Sequence, residues 1–94
     1  VDIRPESPTF GCWEGIELSG ENGFQFYIPV GFAHGYCVLS EEAVVTYKLS
    51  AAYDPQEERT ICWDDPILAI KWPIKQPILS QRDRLGLFFS ESVL

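Results

Sequence analysis

Residues 23–35 of this chain read GFQFYIPVGFAHG. The aromatic run ends at Pro29, which cannot donate a hydrogen bond to a sheet, so a strand should end there. Gly31 and Gly35 allow tight turns on either side of His34, the only histidine of the chain. The segment therefore predicts a strand, a turn and a second strand, with the imidazole on a stiff corner. Such a corner suits a functional group, but a lone histidine is as often a packed or surface residue, so both interpretations stay open.

Short strand patterns separated by turns continue along the rest of the chain. No stretch has a sustained apolar period of about 3.6 residues, the mark of an amphipathic helix. Asn22-Gly23 is a strong hairpin signal, and Ser80 is placed to cap a short helix over residues 80–84. Many short strands with regular turns are typical of an antiparallel sandwich or barrel. The predicted strands are residues 11–18, 24–28, 36–39, 43–49, 60–63 and 67–72.

Composition limits the chain to one small domain and argues against some partners. It has 94 residues, 46% of them hydrophobic, and a net charge of −7. The negative charge opposes binding to nucleic-acid phosphates or to an anionic membrane surface, and no apolar stretch reaches the roughly 18 residues of a membrane span. The cysteines form no CxxC pair, which favours reduced thiols in the cytoplasm. The chain begins without methionine in what looks like a strand, so we expect a piece of a longer protein.

Residues 23–34 also fit the second cupin motif, G-x5-P-x-G-x2-H, with Val38 at the position where that motif usually ends in Asn. The first cupin motif has no counterpart in this sequence. Over nearly its whole length the chain resembles the C-terminal half of the dTDP-4-dehydrorhamnose 3,5-epimerase family. The residues that carry the resemblance include VDIR at 1–4, SPTFG at 7–11, IP at 28–29, GFAHG at 31–35, YK at 47–48, WDDP at 63–66, WP at 72–73 and Asp83.

The resemblance implies an all-β fold, a cupin-type jelly roll (double-stranded β-helix) that is partial here and carries a short C-terminal helix. It implies that residues 1–94 are the C-terminal part of a single jelly-roll epimerase domain. It also implies a homodimer that uses no cofactor and no metal. The residues agree on the metal, because one histidine and unmatched cysteines cannot supply three or four ligands. A metal-dependent cupin such as a dioxygenase is therefore disfavoured.

The activity implied by the resemblance is an isomerase step of dTDP-L-rhamnose biosynthesis, the epimerisation of dTDP-4-keto-6-deoxyglucose at C3 and C5. Tyr47 matches the family's tyrosine acid, and Asp83 matches the aspartate that pairs with the histidine base. In the family that histidine lies upstream, in sequence that this chain does not contain, so we expect these residues alone not to turn over substrate. By residue type alone, Tyr47 could instead pack in a strand and Asp83 could be a solvated acid in a helix.

The resemblance also assigns residues that bind the substrate. His34 would line the pocket, and Tyr53 would stack on the thymine ring. Glu58 matches a carboxylate of the nucleotide pocket, and Arg82 stands where the family has a basic residue beside the dyad aspartate. As single charges, Glu58 and Arg82 are also compatible with solvated surface positions.

Two other functions stay open. Close relatives epimerise only C3 or only C5 of similar dTDP sugars, and no residue of this chain separates these cases. A non-catalytic jelly-roll module that binds a sugar nucleotide is the second alternative. In each case we expect the partner to be a dTDP-4-keto-6-deoxy sugar in the cytoplasm, with no role for nucleic acid or membrane.

Overall fold

The structure, a computed structural model, describes residues 1–52 and 54–92. It contains two helices of a single turn, α1 (Gln81–Arg84) and α2 (Phe89–Ser92). It also contains two isolated β-bridges, one antiparallel and one parallel, and no sheet within the described residues. The prediction of an all-β jelly roll is therefore wrong for this structure. The two bridges join Asp2 to Phe32 and Ile61 to Leu87.

Within the described residues the predicted strands do not pair with one another, and many of their apolar side chains are exposed. Phe24 is 56% exposed, Tyr27 is 83% exposed and Val44 is 93% exposed. A strand is stabilised by a buried face and by paired neighbours, and a lone hairpin is marginal in water. The accessible surface is 8432 Å², against about 5500 Å² for a folded monomer of this size. The apolar residues that a jelly roll would bury are therefore on the surface here.

The turns form where the sequence predicts them, even though the flanking strands do not pair. Gly23 has a φ of 62° and donates its N–H to the carbonyl of Ser19 at 3.0 Å. The side-chain oxygen of Asn22 accepts from the N–H groups of Ser19 and Phe24 at 3.1 and 2.9 Å. These contacts are local in sequence, so they form without help from a sheet.

Backbone pairing joins residues 1–3 to residues 31–33 and makes the first ordered corner. Ile3 donates its N–H to the carbonyl of Gly31 at 3.0 Å. Gly31 has a φ of 93°, which favours glycine, and a Cβ at this position would lie 2.6 Å from the Arg4 side chain. His34 follows this pairing directly, but the strands predicted on either side of it, 24–28 and 36–39, are not formed.

A second ordered region forms around the buried carboxylate of Asp65. One carboxylate oxygen accepts from the N–H groups of Ile67 and Leu68 at 2.8 and 3.1 Å, and the other accepts from Phe89 at 2.7 Å. Leu68 and Phe89 are the hydrophobic residues buried in the described part of the chain. The ring of Phe89 lies 5.1 Å from that of Phe10, centroid to centroid, so this small core ties the C-terminal region to the start of the chain.

Neither helix of the region that the structure describes is long and apolar enough to cross a membrane.

Candidate functional site

Helix α1 carries Asp83, and its position follows from local sequence. Ser80 has an extended backbone and accepts the N–H of Asp83 on its hydroxyl at 3.2 Å, the geometry of an N-cap. An acid in the first turn is favoured by the helix dipole. The helix ends at Arg84, and Leu85 is its C-cap before the chain passes through Gly86. A Cβ on Gly86 would lie 2.8 Å from the backbone nitrogen of Cys62, so only glycine permits this close approach.

The backbone beside α1 is held by residues 60–62. Leu87 donates its N–H to the carbonyl of Thr60 at 2.8 Å, and Cys62 donates to the carbonyl of Leu87 at 2.7 Å. These two bonds bring the loop over residues 54–59 next to α1. The structure therefore places together two segments that the resemblance assigned separately to the nucleotide pocket and to the catalytic dyad.

Glu58 and Arg82 form an ion pair across these two segments. The guanidinium nitrogen lies 3.0 Å from a carboxylate oxygen of Glu58, and the two side chains are 62% and 35% exposed for Arg82 and Glu58 respectively. In the part of the chain that the structure describes, this is the one direct polar side-chain contact between two site residues predicted from the sequence. Asp83 is the next residue after Arg82 and is exposed.

Tyr47 and His34 lie on parts of the chain that are distant in sequence from α1. Both are exposed, and Tyr47 is 68% exposed. Both line a hollow of about 3900 Å³ that is also lined by Glu58, Arg82 and Asp83. Small-molecule sites usually measure about 300–1000 Å³, so this hollow is much wider than one ligand needs. Tyr53, the remaining predicted site residue, lies outside the described residues.

The sequence-based reasoning missed the role of Asp2, which organises the corner before His34. A hydrogen bond from the Arg4 guanidinium, at 2.9 Å, holds the pKa of the Asp2 carboxyl well below its usual range. Burial opposes this shift, while the hydroxyls of Ser7 and Thr9 donate to the same carboxylate and reinforce it. The partners of Asp2, which are Arg4, Ser7 and Thr9, lie in the stretches VDIR and SPT. The sequence-based reasoning used these stretches only as evidence of the family resemblance.

Asp65 was missed for the same reason, since an aspartate in a WDDP stretch looks like turn chemistry. Burial acts to raise the pKa of Asp65, but the three backbone N–H donors outweigh it and lower the pKa overall. Its neighbour Asp64 behaves differently, because it is exposed and accepts the thiol hydrogen of Cys62 at 2.9 Å. That hydrogen bond raises the pKa of the Cys62 thiol, which disfavours a reactive thiolate there.

A second and smaller cavity of about 420 Å³ lies beside two tryptophans. The indole N–H of Trp72 donates to the carbonyl of Trp63 at 2.7 Å, so Trp72 holds the backbone of the WDDP turn. The three cysteines of the chain are free thiols. Within residues 1–52 and 54–92, no cluster of three or more histidine, cysteine or acidic residues is arranged to hold a metal ion.

Comparison with known proteins identifies a family and several relatives to which this chain is similar. A family model described as dTDP-4-dehydrorhamnose 3,5-epimerase matches residues 1–91. The dTDP-4-dehydrorhamnose 3,5-epimerase of Shigella flexneri is 50% identical over 92 residues, which cover 98% of this chain and 51% of that protein. The enzyme of the same name from Pseudomonas aeruginosa is 50% identical over 93 residues, with the same two coverages of 98% and 51%. The dTDP-4-dehydrorhamnose 3-epimerase of Streptomyces niveus is 44% identical over 92 residues, covering 98% of this chain and 44% of that protein. The chain thus spans about half the length of the curated relatives it matches.

Proposed function

The chain belongs to the dTDP-4-dehydrorhamnose 3,5-epimerase family, and from this membership we propose that its gene product epimerises dTDP-4-keto-6-deoxyglucose at C3 and C5. The observation that carries the proposal is the family match over residues 1–91, which includes every residue assigned to the site. The relatives from Shigella flexneri and Pseudomonas aeruginosa bear the name of this activity and share half of their aligned residues with the chain.

The proposed chemistry divides proton removal and proton return between two groups. The C4 carbonyl acidifies the protons at C3 and C5, so a base can remove one and leave an enolate. Tyr47 is the proposed acid, since a tyrosine phenol is ordinarily protonated at neutral pH and can return the proton to the opposite face. Asp83 is the proposed partner of a histidine base, whose ring it would orient and make more basic. Both roles are supported by the family match, which includes Tyr47 and Asp83.

Substrate binding is proposed for four further residues. His34 stands exposed just after the paired corner, where an imidazole can donate to an oxygen of the sugar nucleotide. Tyr53 is proposed to stack on the thymine ring, and Glu58 and Arg82 to border the nucleotide. A homodimer in the cytoplasm completes the proposal. It is proposed from the family membership alone.

Solvent exchange tests the activity at each carbon separately. We expect the complete gene product, incubated in deuterium oxide with dTDP-4-keto-6-deoxyglucose, to incorporate deuterium at both C3 and C5. Incorporation at C3 alone would instead support a 3-epimerase, the activity named for the Streptomyces niveus relative. Tight binding of dTDP without any incorporation would support the third function, a binding module for sugar nucleotides.

The role of Tyr47 is tested by removing only its hydroxyl. In Tyr47→Phe the base still acts, so we expect substrate deuterium exchange to continue while product formation falls by roughly 100-fold or more, the usual scale for a general acid. Tyr36→Phe is the matched control, because Tyr36 is 65% exposed, close to the 68% of Tyr47, and lines the same hollow. Equal loss of exchange and product in Tyr47→Phe would contradict the acid role.

A further inference from the structure

Asp65 is a buried acid that the proposed mechanism does not use. Its side chain is 1% exposed and lies in the WDDP turn, residues 63–66. One carboxylate oxygen accepts the N–H groups of Ile67 and Leu68 within the same turn. The other oxygen accepts the N–H of Phe89 at 2.7 Å, 24 residues further along the chain. The carboxylate therefore joins two segments that are distant in sequence.

The segment over residues 86–89 is held against residues 60–65 by its backbone as well. Leu87 makes two backbone hydrogen bonds to this region, at 2.8 and 2.7 Å. Gly86 lies so close to Cys62 that a Cβ on the glycine would be 2.8 Å from the backbone nitrogen of the cysteine. The segment that contains Leu87 therefore has a defined place relative to the WDDP turn.

Helix α1, which carries Asp83, comes directly before this held segment. It is a single turn of four residues, none of them buried. The N–H of Gly86 donates to the carbonyl of Asp83 at 3.4 Å, so the last turn of the helix is bonded to the residue that contacts Cys62. A helix this short has little packing of its own, so its orientation depends on where the next residues are held.

We infer that Asp65 is a positioning residue for Asp83, which acts through the backbone of residues 86–89 and does not contact the substrate. This inference rests on the proposed function for the role of Asp83 beside a histidine base. Both oxygens of Asp65 already accept backbone N–H groups. Support of this kind matters to a reaction, because a misplacement of about 1 Å far from the chemistry can lower a rate about 100-fold.

A double-mutant cycle on the complete gene product tests this inference. Asp65→Asn keeps an oxygen for its own turn and removes the acceptor of the Phe89 N–H. We expect it to lower kcat and deuterium exchange into substrate roughly 10- to 100-fold, with KM and the Kd for dTDP unchanged. In an Asp83→Asn background the same change should lower kcat by about two-fold or less, because the group that Asp65 positions is already lost.

Two further variants complete the cycle. Asp64→Asn is the matched control and should have the kinetics of wild type, because Asp64 is exposed and the amide keeps an oxygen for the Cys62 thiol. Gly86→Ala displaces the same segment from the other side, so it should lower kcat in wild type but not in the Asp83→Asn background. This variant decides the question if Asp65→Asn does not fold. Equal losses with and without Asp83, or an unchanged kcat in folded Asp65→Asn, would overturn the inference.

Hydrogen exchange separates the inference from the proposed function. If wild type shows no epimerisation, the proposed function fails, and the inference then depends on the amides of Leu85 and Gly86, which donate to carbonyls of α1 at 3.1 and 3.4 Å. Both should exchange faster in Asp65→Asn than in Asp64→Asn, while the amide of Ile3, in the other ordered region, stays unchanged. Equal exchange at Leu85 and Gly86 in the two variants would show that Asp65 does not hold α1.

Discussion

Replacing Asp65 should strongly destabilise the packed region around Leu68 and Phe89. Its carboxylate is 1% exposed and accepts three backbone N–H groups, from Ile67, Leu68 and Phe89. In Asp65→Ala all three donors lose this acceptor, and two of the three hydrogen bonds are buried. Asp65→Asn keeps one oxygen for Ile67 and Leu68, but it turns an NH₂ group toward the N–H of Phe89.

The magnitude follows from the hydrogen bonds and from the removed charge. Each hydrogen bond to a charged group contributes about 1.5–3 kcal/mol, so three bonds to Asp65 would sum to roughly 5–9 kcal/mol. Removing a buried charge recovers its desolvation cost, which is several kcal/mol. We therefore expect Asp65→Ala to lower the free energy of unfolding by about 3–4 kcal/mol and Asp65→Asn by about 2–3 kcal/mol.

Urea denaturation of the complete gene product measures these losses, and native-state hydrogen exchange locates them. The amides of Leu68 and Phe89 should lose protection in both variants. Asp64→Asn is the control, because Asp64 is exposed and its replacement keeps an oxygen for the Cys62 thiol, so a change within about 0.5 kcal/mol is expected. A loss below about 1 kcal/mol in Asp65→Ala, or equal losses at both acids, would refute the reasoning.

Two further predictions concern the close backbone approach at Gly86 and the buried carboxylate of Asp2. Gly86→Ala should lower the free energy of unfolding by about 1–3 kcal/mol, because its Cβ would lie 2.8 Å from the backbone nitrogen of Cys62. Gly20→Ala is the control in the same urea assay. A Cβ at Gly20 would have nothing within 4 Å, so this variant should be nearly neutral. The lowered pKa of Asp2 means that its stabilising effect is fully present above its ordinary pKa of about 3.9 and is lost as the pH falls through the lower folded value. Hydrogen exchange at residues 1–3 should therefore show loss of pairing at a higher pH in Arg4→Gln than in wild type, and identical acid profiles would contradict this.

Local features of this fold could be predicted from the sequence because their causes lie within a few residues. The Asn22-Gly23 turn needs only an amide side chain and a glycine with positive φ. The start of α1 needs only a serine hydroxyl at Ser80 and a free N–H at Asp83. In both cases the partner is at most four residues away, so no tertiary contact has to be known.

The candidate site could be predicted only as a set of residues, not as a set of contacts. The resemblance selected Glu58 and Arg82 as separate residues of the site and did not predict that they contact each other. Their pairing depends on the hydrogen bonds between residues 60–62 and Leu87, which bring distant segments together. The buried acids Asp2 and Asp65 were missed for the same reason, because burial depends on how the whole chain packs.

The lack of a sheet in the described residues could not be predicted from the sequence. Strand preference depends on the packing and pairing of the strand as much as on its own backbone. Residues 43–49 are rich in β-branched side chains, yet Val44 is 93% exposed and Val45 is 45% exposed. Such residues favour strands when one face is buried and the edges are paired. The relatives from Shigella flexneri and Pseudomonas aeruginosa are about twice as long as this chain. Alternation therefore indicates where β-structure can form, whereas its formation depends on which other strands lie within reach.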